Sequence, residues 1–265
     1  MEITEHNAKY PHTTFGVTTF TDRTDEEMKQ NSALPKSTKA TAWTKDNFCE
    51  PGVVVIDDYD DNDYTERNAV DWRSKNKVSP VRHQGSCGSC WSFAAIAVIE
   101  SALMIRQNIS EDLSEQAVLD CARDSYGHTG QYGVYRERDV PYVGYQQNCR
   151  QSTRPAYRTG GHVPIEPNAD AIRRHIASQG PVAAGFTVSR EFFNYRDGVY
   201  SGCSDASYGG HAIAIVGYGK DSLSGKDYWI IKNSWGTNWG NGGYVKFEAG
   251  RDLCGIESRV IAPVM

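Results

Sequence analysis

The most constraining feature of the sequence is a short motif, QGSCGSCWSF at residues 84–93, that leads directly into a long apolar segment. From Cys90 to about residue 106 the apolar side chains recur with helical spacing, at Phe93, Ile96, Ala97, Leu103 and Met104. This period predicts a buried α-helix that begins at Cys90. A thiol in that position faces unpaired backbone N–H groups and the positive end of the helix dipole, and both favour the nucleophilic thiolate.

Two later motifs supply the polar residues that an activated cysteine needs. His211 lies in YGGHAIAIVGYG at residues 208–219, and Asn233 lies in WIIKNSWG at residues 229–236. An imidazole next to the thiol would take its proton, giving a Cys90 thiolate and a His211 imidazolium, and would return the proton to the leaving group. Asn233 would accept a hydrogen bond from the other imidazole nitrogen and fix the orientation of the ring.

Together the three motifs resemble the active-site signatures of papain-like cysteine proteases. The resemblance implies that Cys90 is the nucleophile, His211 the general base and acid, and Asn233 the residue that orients the imidazole. It also implies that Gln84 and the backbone N–H of Cys90 hold the oxyanion of the tetrahedral intermediate, where losing one donor costs about 10²–10³ in rate. Asn233 falls within the family spacing of roughly 130–150 residues after the cysteine, whereas His211 comes earlier.

The resemblance also implies a set of residues that contact the substrate. They are Gly88, Gly130, Gly210, Trp235 and Arg259. Trp235 is expected to shield the imidazole from water. In the family, the residue at the position of Arg259 forms the floor of the S2 pocket, and cathepsin B has a glutamate there. A positive charge predicts better tolerance of an acidic or polar P2 residue than of arginine, unless the Arg259 side chain points to solvent. The cathepsin B occluding loop has no counterpart in the sequence, which implies endopeptidase action.

Each of these residues has a simpler explanation when it is considered alone. Cys90 could be a buried structural thiol, His211 a core histidine and Asn233 a turn residue. Cys87 and Cys90 also form a C-x-x-C pair typical of thiol–disulfide oxidoreductases, but that activity gives the two later motifs no role. A zinc site would need a second ligand pair at similar spacing, which the sequence lacks. A catalytically inactive papain-like homologue acting as a binding or regulatory protein stays open, because the segment after Cys121 is shorter than in the family.

Residues 1–65 resemble a partial inhibitory propeptide followed by a linker. The stretch FGVTTFTD at residues 15–22 looks like the second half of the prosegment of papain-like zymogens, with Thr18 where the family usually has asparagine. An ordinary polar tail is the alternative. The first prosegment helix and a signal peptide are absent from this chain, so we expect a truncated sequence. The peptidase domain is expected over residues 66–265, after an acidic run at residues 57–63 that stays solvated.

The chain has seven cysteines, and removing the nucleophile leaves an even set, which fits an oxidising compartment. The family resemblance implies two disulfides, Cys121 with Cys149 and Cys203 with Cys254. The usual partner of Cys87 is missing, and His128 stands near its position. Either Cys87 bonds Cys49 and ties the prosegment to the enzyme, or both thiols are free.

The order of the patterns predicts an α+β fold. The helical pattern that carries Cys90 comes first, and β-branched and aromatic runs separated by glycine follow at residues 212–216, 228–232 and 244–248. The resemblance implies a papain-like two-domain fold, with a helical N-terminal lobe and a β-barrel-like C-terminal lobe. The active site would lie in the cleft between the lobes.

Composition fits a globular enzyme. The 265 residues are 39% hydrophobic and 23% charged, with a net charge of −5 and a pI of about 5.8, so nothing suggests nucleic-acid binding. No apolar run is long enough to span a membrane. The resemblance implies no metal and no cofactor. It implies peptide and protein substrates, the chain's own propeptide and cystatin-like proteins as inhibitors, and a monomer in a secreted or lysosomal/endosomal compartment.

Overall fold

The computed structural model describes residues 2–31, 69–121, 133–149, 154–204 and 207–265. The helices are α1 Glu2–Lys9, α2 Asp25–Asn31, α3 Cys90–Arg106, α4 Glu115–Cys121, α5 Ala169–Ser178 and α6 Arg190–Phe193, with a 3₁₀ turn at Leu253–Gly255. The strands are β1 Thr13–Phe15, β2 Val70–Asp71, β3 Gly161–Pro164, β4 Val182–Ser189, β5 Tyr195–Tyr200, β6 Ser207–Lys220, β7 Asp227–Lys232, β8 Tyr244–Glu248 and β9 Val260–Val264. In the part of the chain so described, no helix combines the length and hydrophobicity needed to cross a membrane.

Helix α3 confirms the prediction of a buried helix that begins at Cys90. It contains no glycine or proline, so its backbone propensity is favourable, and it is buried on two sides. One side packs on the sheet through Ala94 and Val98, and the other packs through Ile96 and Leu103 on the region of α4. Because both sides are covered, the first residue of α3 lies where the helical part of the chain meets the sheet.

The strands form a nine-stranded sheet in the order β1-β5-β8-β7-β6-β4-β9-β3, with β2 also paired to β6. The pairs are antiparallel except β5 with β8. The three predicted strand segments are present, and β6 extends beyond residues 212–216 in both directions. The prediction of an α+β fold is therefore confirmed.

The central strand β6 carries His211, and its neighbour β7 ends directly before Asn233. Their register pairs Ala214 with Lys232, which brings the residue after Lys232 alongside the His211 end of β6. On its other side β6 pairs with β4, where Phe186 faces His211. The sheet thus brings together two residues that the sequence places in separate motifs.

An aromatic cluster holds the loop that follows β7. Trp235 stacks on Phe193 with ring centroids 5.1 Å apart, and Trp239 packs on Phe192 at 5.0 Å. Aromatic pairs contribute about 0.5–1.5 kcal/mol beyond the area that they bury. The loop that carries Asn233 is therefore fixed on one side by strand β7 and on the other by this cluster.

Residues 2–31 belong to the same folded body. Strand β1 pairs with β5, and the Thr13 hydroxyl donates to the Val199 carbonyl at 2.5 Å. Farther along, the Thr18 hydroxyl donates to the Phe193 carbonyl at 2.9 Å. The N-terminal segment therefore adds an edge strand to the sheet and follows it toward the aromatic cluster.

Gly198 permits the close approach of β1 to β5. Its φ is +81°, a conformation that strongly favours glycine, and a Cβ at this position would collide with the backbone carbonyl of His12. The backbone N–H of the next residue, Val199, donates to that same carbonyl at 2.9 Å. The pairing that docks the N-terminal segment therefore depends on a residue of β5 that has no side chain.

Among the described residues there are two disulfides, and they are the pairs that the family resemblance implies, Cys121 with Cys149 and Cys203 with Cys254. Cys87 is free and half-buried in the described part of the chain. Its thiol lies within hydrogen-bonding reach of the Tyr142 hydroxyl. The hypothesised bridge to Cys49 is not tested. Cys49 itself lies outside the described residues.

Candidate active site

The imidazole of His211 is held by a buried asparagine. Asn233 Oδ1 lies 2.8 Å from His211 Nε2, and the same oxygen accepts the backbone N–H of Ser234 at 2.8 Å. Because an amide oxygen only accepts, these two bonds fix the Asn233 side chain and require the proton of a neutral His211 on Nε2. The other ring nitrogen, Nδ1, is buried without a hydrogen-bond partner among the described residues. Nδ1 is therefore the basic nitrogen that can take a proton.

Cys90 is the first residue of α3 and is fully buried. Its sulfur lies within hydrogen-bonding reach of the backbone N–H groups of Ala212 and Trp91, which favour the thiolate. Ala212 directly follows His211 on β6. The start of α3 and the middle of β6 therefore meet near the sulfur atom, and the pairing of Cys90 with His211 stays a prediction.

Burial opposes ionisation of these two groups. It raises the pKa of Cys90 to about 11, although the backbone donors lower it, and it reduces the pKa of His211 to about 4, although the Asn233 bond raises it. Burial therefore favours the neutral thiol and the neutral imidazole. The thiolate–imidazolium pair expected from the sequence therefore stays a prediction.

Gln84 is also fully buried, and hydrogen bonds hold both atoms of its side-chain amide. Oε1 accepts the Ser234 hydroxyl at 2.6 Å, and Nε2 donates to the Cys87 carbonyl at 2.8 Å. These bonds join the loop before α3 to the loop after β7, which brings the proposed oxyanion donor into the same network as Asn233.

Trp235 covers the imidazole. Its ring centroid lies 4.7 Å from that of His211, and the tryptophan is only 2% exposed. Phe20 of the N-terminal segment packs on the same tryptophan at 4.8 Å. Trp235 therefore shields the His211–Asn233 hydrogen bond from water, and the N-terminal segment in turn covers Trp235.

The other residues expected to contact substrate have different surroundings. Gly88 and Gly210 are partly exposed and lie close in sequence to Cys90 and His211. Gly130 lies outside the described residues. Substrate contact by these glycines and by Trp235 stays a prediction.

Arg259 is exposed and precedes β9. Gly185 lies between Arg259 and His211. A Cβ added to this glycine would lie 3.9 Å from the Cβ of Arg259 and 3.9 Å from the carbonyl oxygen of His211. The turn before Arg259 is held by buried Glu257, which accepts the Trp229 indole N–H at 2.9 Å. Across the described ranges, no carboxylate forms an ion pair with Arg259. The start of the Arg259 side chain thus lies near Gly185 of β4, beside the His211 strand, and among the described residues its charge forms no ion pair.

Sequence reasoning missed the polar residues behind the site. Ser234, which fixes the Asn233 oxygen and anchors Gln84, was not singled out, and neither were the buried Lys232 and Glu100. Two signals were available in the sequence, a lysine that ends the apolar strand β7 and a glutamate inside the apolar helix α3. Ionisable residues in such segments are rarely buried without partners.

The arrangement is suited to covalent catalysis. It combines a buried thiol, an imidazole with its basic nitrogen available, and an amide donor anchored close to both elements. In the ranges that the structure describes, no group of three or more histidine, cysteine, aspartate or glutamate side chains could hold a metal ion.

Comparison with known proteins identifies the family. A model of the papain family of cysteine proteases matches residues 67–264. The chain belongs to this family. Fruit bromelain from Ananas comosus is 38% identical over 273 residues, which cover 95% of this chain and 73% of bromelain. Papain from Carica papaya is 34% identical over 281 residues, which cover 99% of this chain and 77% of papain. As a papain-family cysteine peptidase, the protein is a hydrolase.

Solved structures of papain-family precursors match the whole chain. Recombinant stem bromelain precursor has a TM-score of 0.82 at 30% identity, covering 100% of this chain and 87% of the precursor. Digestive procathepsin L 3 from the larval midgut of Tenebrio molitor has a TM-score of 0.79 at 28% identity, covering 100% of this chain and 88% of that structure. The papain-like fold is therefore confirmed.

Proposed function

We propose that this chain is a cysteine endopeptidase, made as a zymogen, that cleaves peptide bonds through Cys90 and His211 with an acyl-enzyme intermediate. The observation that carries the proposal is the hydrogen-bonding state of the imidazole. Asn233 fixes Nε2 and leaves Nδ1 as the basic nitrogen, on the strand whose Ala212 N–H reaches the Cys90 sulfur. Family membership supports the same assignment.

The reaction begins with transfer of the Cys90 proton to His211 Nδ1. The thiolate attacks the substrate carbonyl carbon, a C–S bond forms, and the carbonyl oxygen becomes an oxyanion held by Gln84 Nε2 and the Cys90 backbone N–H. Collapse of this intermediate breaks the C–N bond, and the imidazolium gives its proton to the leaving amine. Water, deprotonated by His211, then hydrolyses the thioester, which releases the acid and restores the thiol.

Residues 1–65 act as propeptide and linker, and residues 66–265 act as the peptidase domain. The contact of Phe20 with Trp235, which in turn covers His211, supports an inhibitory role for the N-terminal segment. Removing the segment would readmit water to the site, which lowers the pKa of the thiol and raises that of the imidazole. The segment then inhibits in two ways: it keeps water away from the catalytic pair, and it blocks access of the substrate.

The substrates are peptides and proteins that bind in extended form along Gly88, Gly130 and Gly210. The exposed guanidinium group of Arg259 favours an acidic or polar side chain at P2 over a basic one. Trp235 borders the site as the cover of the imidazole.

The propeptide and cystatin-like proteins are the inhibitory partners, and the enzyme acts as a monomer. The two disulfides support a secreted or lysosomal/endosomal location, because disulfides persist in oxidising compartments.

The test is acid activation of the full chain, followed by labelling with a thiol-directed epoxide and by assay on fluorogenic dipeptide substrates. Cys90→Ala is the control for labelling at other thiols. We expect labelling at Cys90 together with turnover that the control lacks. Labelling without turnover would contradict the peptidase activity while leaving the nucleophile in place. Absence of labelling in a folded chain would favour an inactive homologue with a binding or regulatory role.

A further inference from the structure

A buried chain of hydrogen bonds joins the end of β7 to the middle of α3. Lys232 Nζ donates to the Ser79 hydroxyl at 2.9 Å, and that hydroxyl donates to the Glu100 carboxylate. The second Glu100 oxygen accepts the backbone N–H of Leu113 at 2.9 Å. Lys232, Ser79 and Glu100 are 6%, 9% and 3% exposed, so the chain lies in the interior, where such interactions are stronger than in water.

This chain of hydrogen bonds lies directly behind the residues proposed for catalysis. Lys232 precedes Asn233 on the backbone, and Glu100 lies on the helix that begins with Cys90. A small cavity beside the chain is lined by Lys232 and Glu100 and also by Asn233 and Ala212. The link therefore crosses between the helix of the nucleophile and the strands of the base and its orienting amide.

Arg82 and Glu115 line the same cavity. Burial lowers the pKa of Lys232 to about 8, while the negative charges of Glu100 and Glu115 raise it and that of Arg82 lowers it. Burial also raises the pKa of Glu115 to about 8. The Lys232 amino group that donates to Ser79 therefore faces three titratable side chains around this cavity.

Stability alone is a poor reason for this arrangement. Removing a lysine and a glutamate from water is costly, and apolar replacements of buried ion pairs are often neutral or stabilising. A buried charged link does specify one arrangement of the elements that carry it, because both ions lose their partners if those elements shift.

We propose that Lys232 is a positioning residue. Through its link to Glu100 it fixes α3 against β7, and it thereby sets the separation between the Cys90 thiol and the imidazole that takes its proton. The inference rests on the proposed function of this site. Misplacing reacting groups by about 1 Å costs up to about 10²-fold in rate, so the role should be visible in kcat.

The test compares Lys232→Met with Lys226→Met in the full chain after activation. Lys226 is the matched control, because its Nζ donates at 3.0 Å to Glu248, which is itself 6% exposed. Each substitution thus removes a lysine linked to a buried carboxylate, while Glu100 keeps the Ser79 hydroxyl and Glu248 keeps the Arg251 guanidinium at 3.2 Å. We expect both variants to lose stability, whereas Lys232→Met alone lowers kcat, by about tenfold to a hundredfold, with little change in KM. The rate of Cys90 alkylation across pH should fall in the same variant.

A double variant, Lys232→Met with Glu100→Gln, separates positioning from charge balance and covers the case in which the single variant does not fold. It leaves neither of the two charges buried alone, so its Tm should approach that of the wild type. The kcat of the double variant should stay low, because the link between α3 and β7 is still broken. The single variant Lys232→Arg should retain part of the wild-type kcat. Wild-type kcat in the double variant would overturn the proposal, as would an equal loss of kcat in Lys226→Met.

If the wild-type chain shows no peptidase turnover, the proposed function fails, and the comparison rests on the rate of Cys90 alkylation by iodoacetamide. That rate requires the thiol and the imidazole but no substrate cleft. Equal alkylation rates in the wild type and in Lys232→Met would then overturn the positioning role independently.

Discussion

The amide oxygen of Asn233 lies 2.8 Å from Nε2 of His211, and this hydrogen bond decides which imidazole nitrogen faces the chemistry. The bond is buried beneath Trp235, so water does not compete for it. The backbone N–H of Ser234 holds the same oxygen, which prevents rotation of the amide. The proton-accepting nitrogen is therefore selected by two neighbouring residues of one loop.

Replacing Asn233 with alanine should lower kcat about 10²-fold and change KM little, because the imidazole loses its orientation and preferred tautomer. The Asn233 bond raises the pKa of His211, so that pKa should fall further. Steady-state kinetics across pH measure both effects. Asn168→Ala is the control, since it removes only the side-chain cap of helix α5. Wild-type kcat in Asn233→Ala would contradict the orienting role.

The alkylation rate of Cys90 should depend on pH differently before and after the N-terminal segment is removed. In the intact chain burial holds the pKa of Cys90 near 11, so the rate should be low at pH 6 and rise only in alkaline solution. After removal, solvation lowers the thiol pKa and raises the imidazole pKa, and fast alkylation should appear at pH 6. Iodoacetamide labelling measured by mass spectrometry gives both profiles, with Cys90→Ala correcting for Cys87. Identical profiles would show that the segment does not control ionisation.

Phe20→Ala should weaken the docking of the N-terminal segment. Phe20 is 3% exposed and packs on Phe193 and Trp235, and deleting such a ring costs about 3–5 kcal/mol. The half-time of acid activation should therefore shorten, and activation should begin at a higher pH. Val17→Ala is the control from the same segment, because Val17 is 75% exposed. Equal half-times for the two variants would place the inhibitory contact elsewhere.

Arg259→Glu should reverse the preference at P2. An exposed ion pair is worth up to about 1 kcal/mol, so the ratio of kcat/KM for acidic against basic P2 residues should change by about tenfold or more. High salt should reduce the difference by screening the charges. Arg174→Glu changes the net charge equally at another exposed position and should leave the ratio unchanged. An unaltered ratio in Arg259→Glu would indicate that this side chain does not meet the P2 residue.

Removing the disulfide between Cys203 and Cys254 by a double alanine substitution should lower the free energy of unfolding by about 4 kcal/mol. The two cysteines are 51 residues apart, against 28 for Cys121 and Cys149, so the shorter loop should contribute about 0.5 kcal/mol less. Urea unfolding of the three forms provides the comparison. A loss below about 1 kcal/mol for the longer loop would contradict the loop-entropy argument.

The sequence by itself determined the helix that starts at Cys90, the strands of the second half and the three motifs. Helical and strand periods are local properties, and the motif spacing was specific enough to indicate the family and an α+β fold. It also provided the two cysteine pairs through that resemblance. These features depend on residues close together in the chain or on a pattern already known, so they needed no coordinates.

Only the tertiary structure decided the properties that depend on contacts between residues far apart in the sequence. Burial of Cys90 and His211 favours their neutral forms, which the dipole argument from the sequence did not anticipate, because desolvation depends on every element packed around the site. The link from Lys232 to Glu100 joins residues that no motif connects. A helix start and a strand pattern are set locally, whereas solvation and hydrogen bonding between elements are fixed only when the chain has folded.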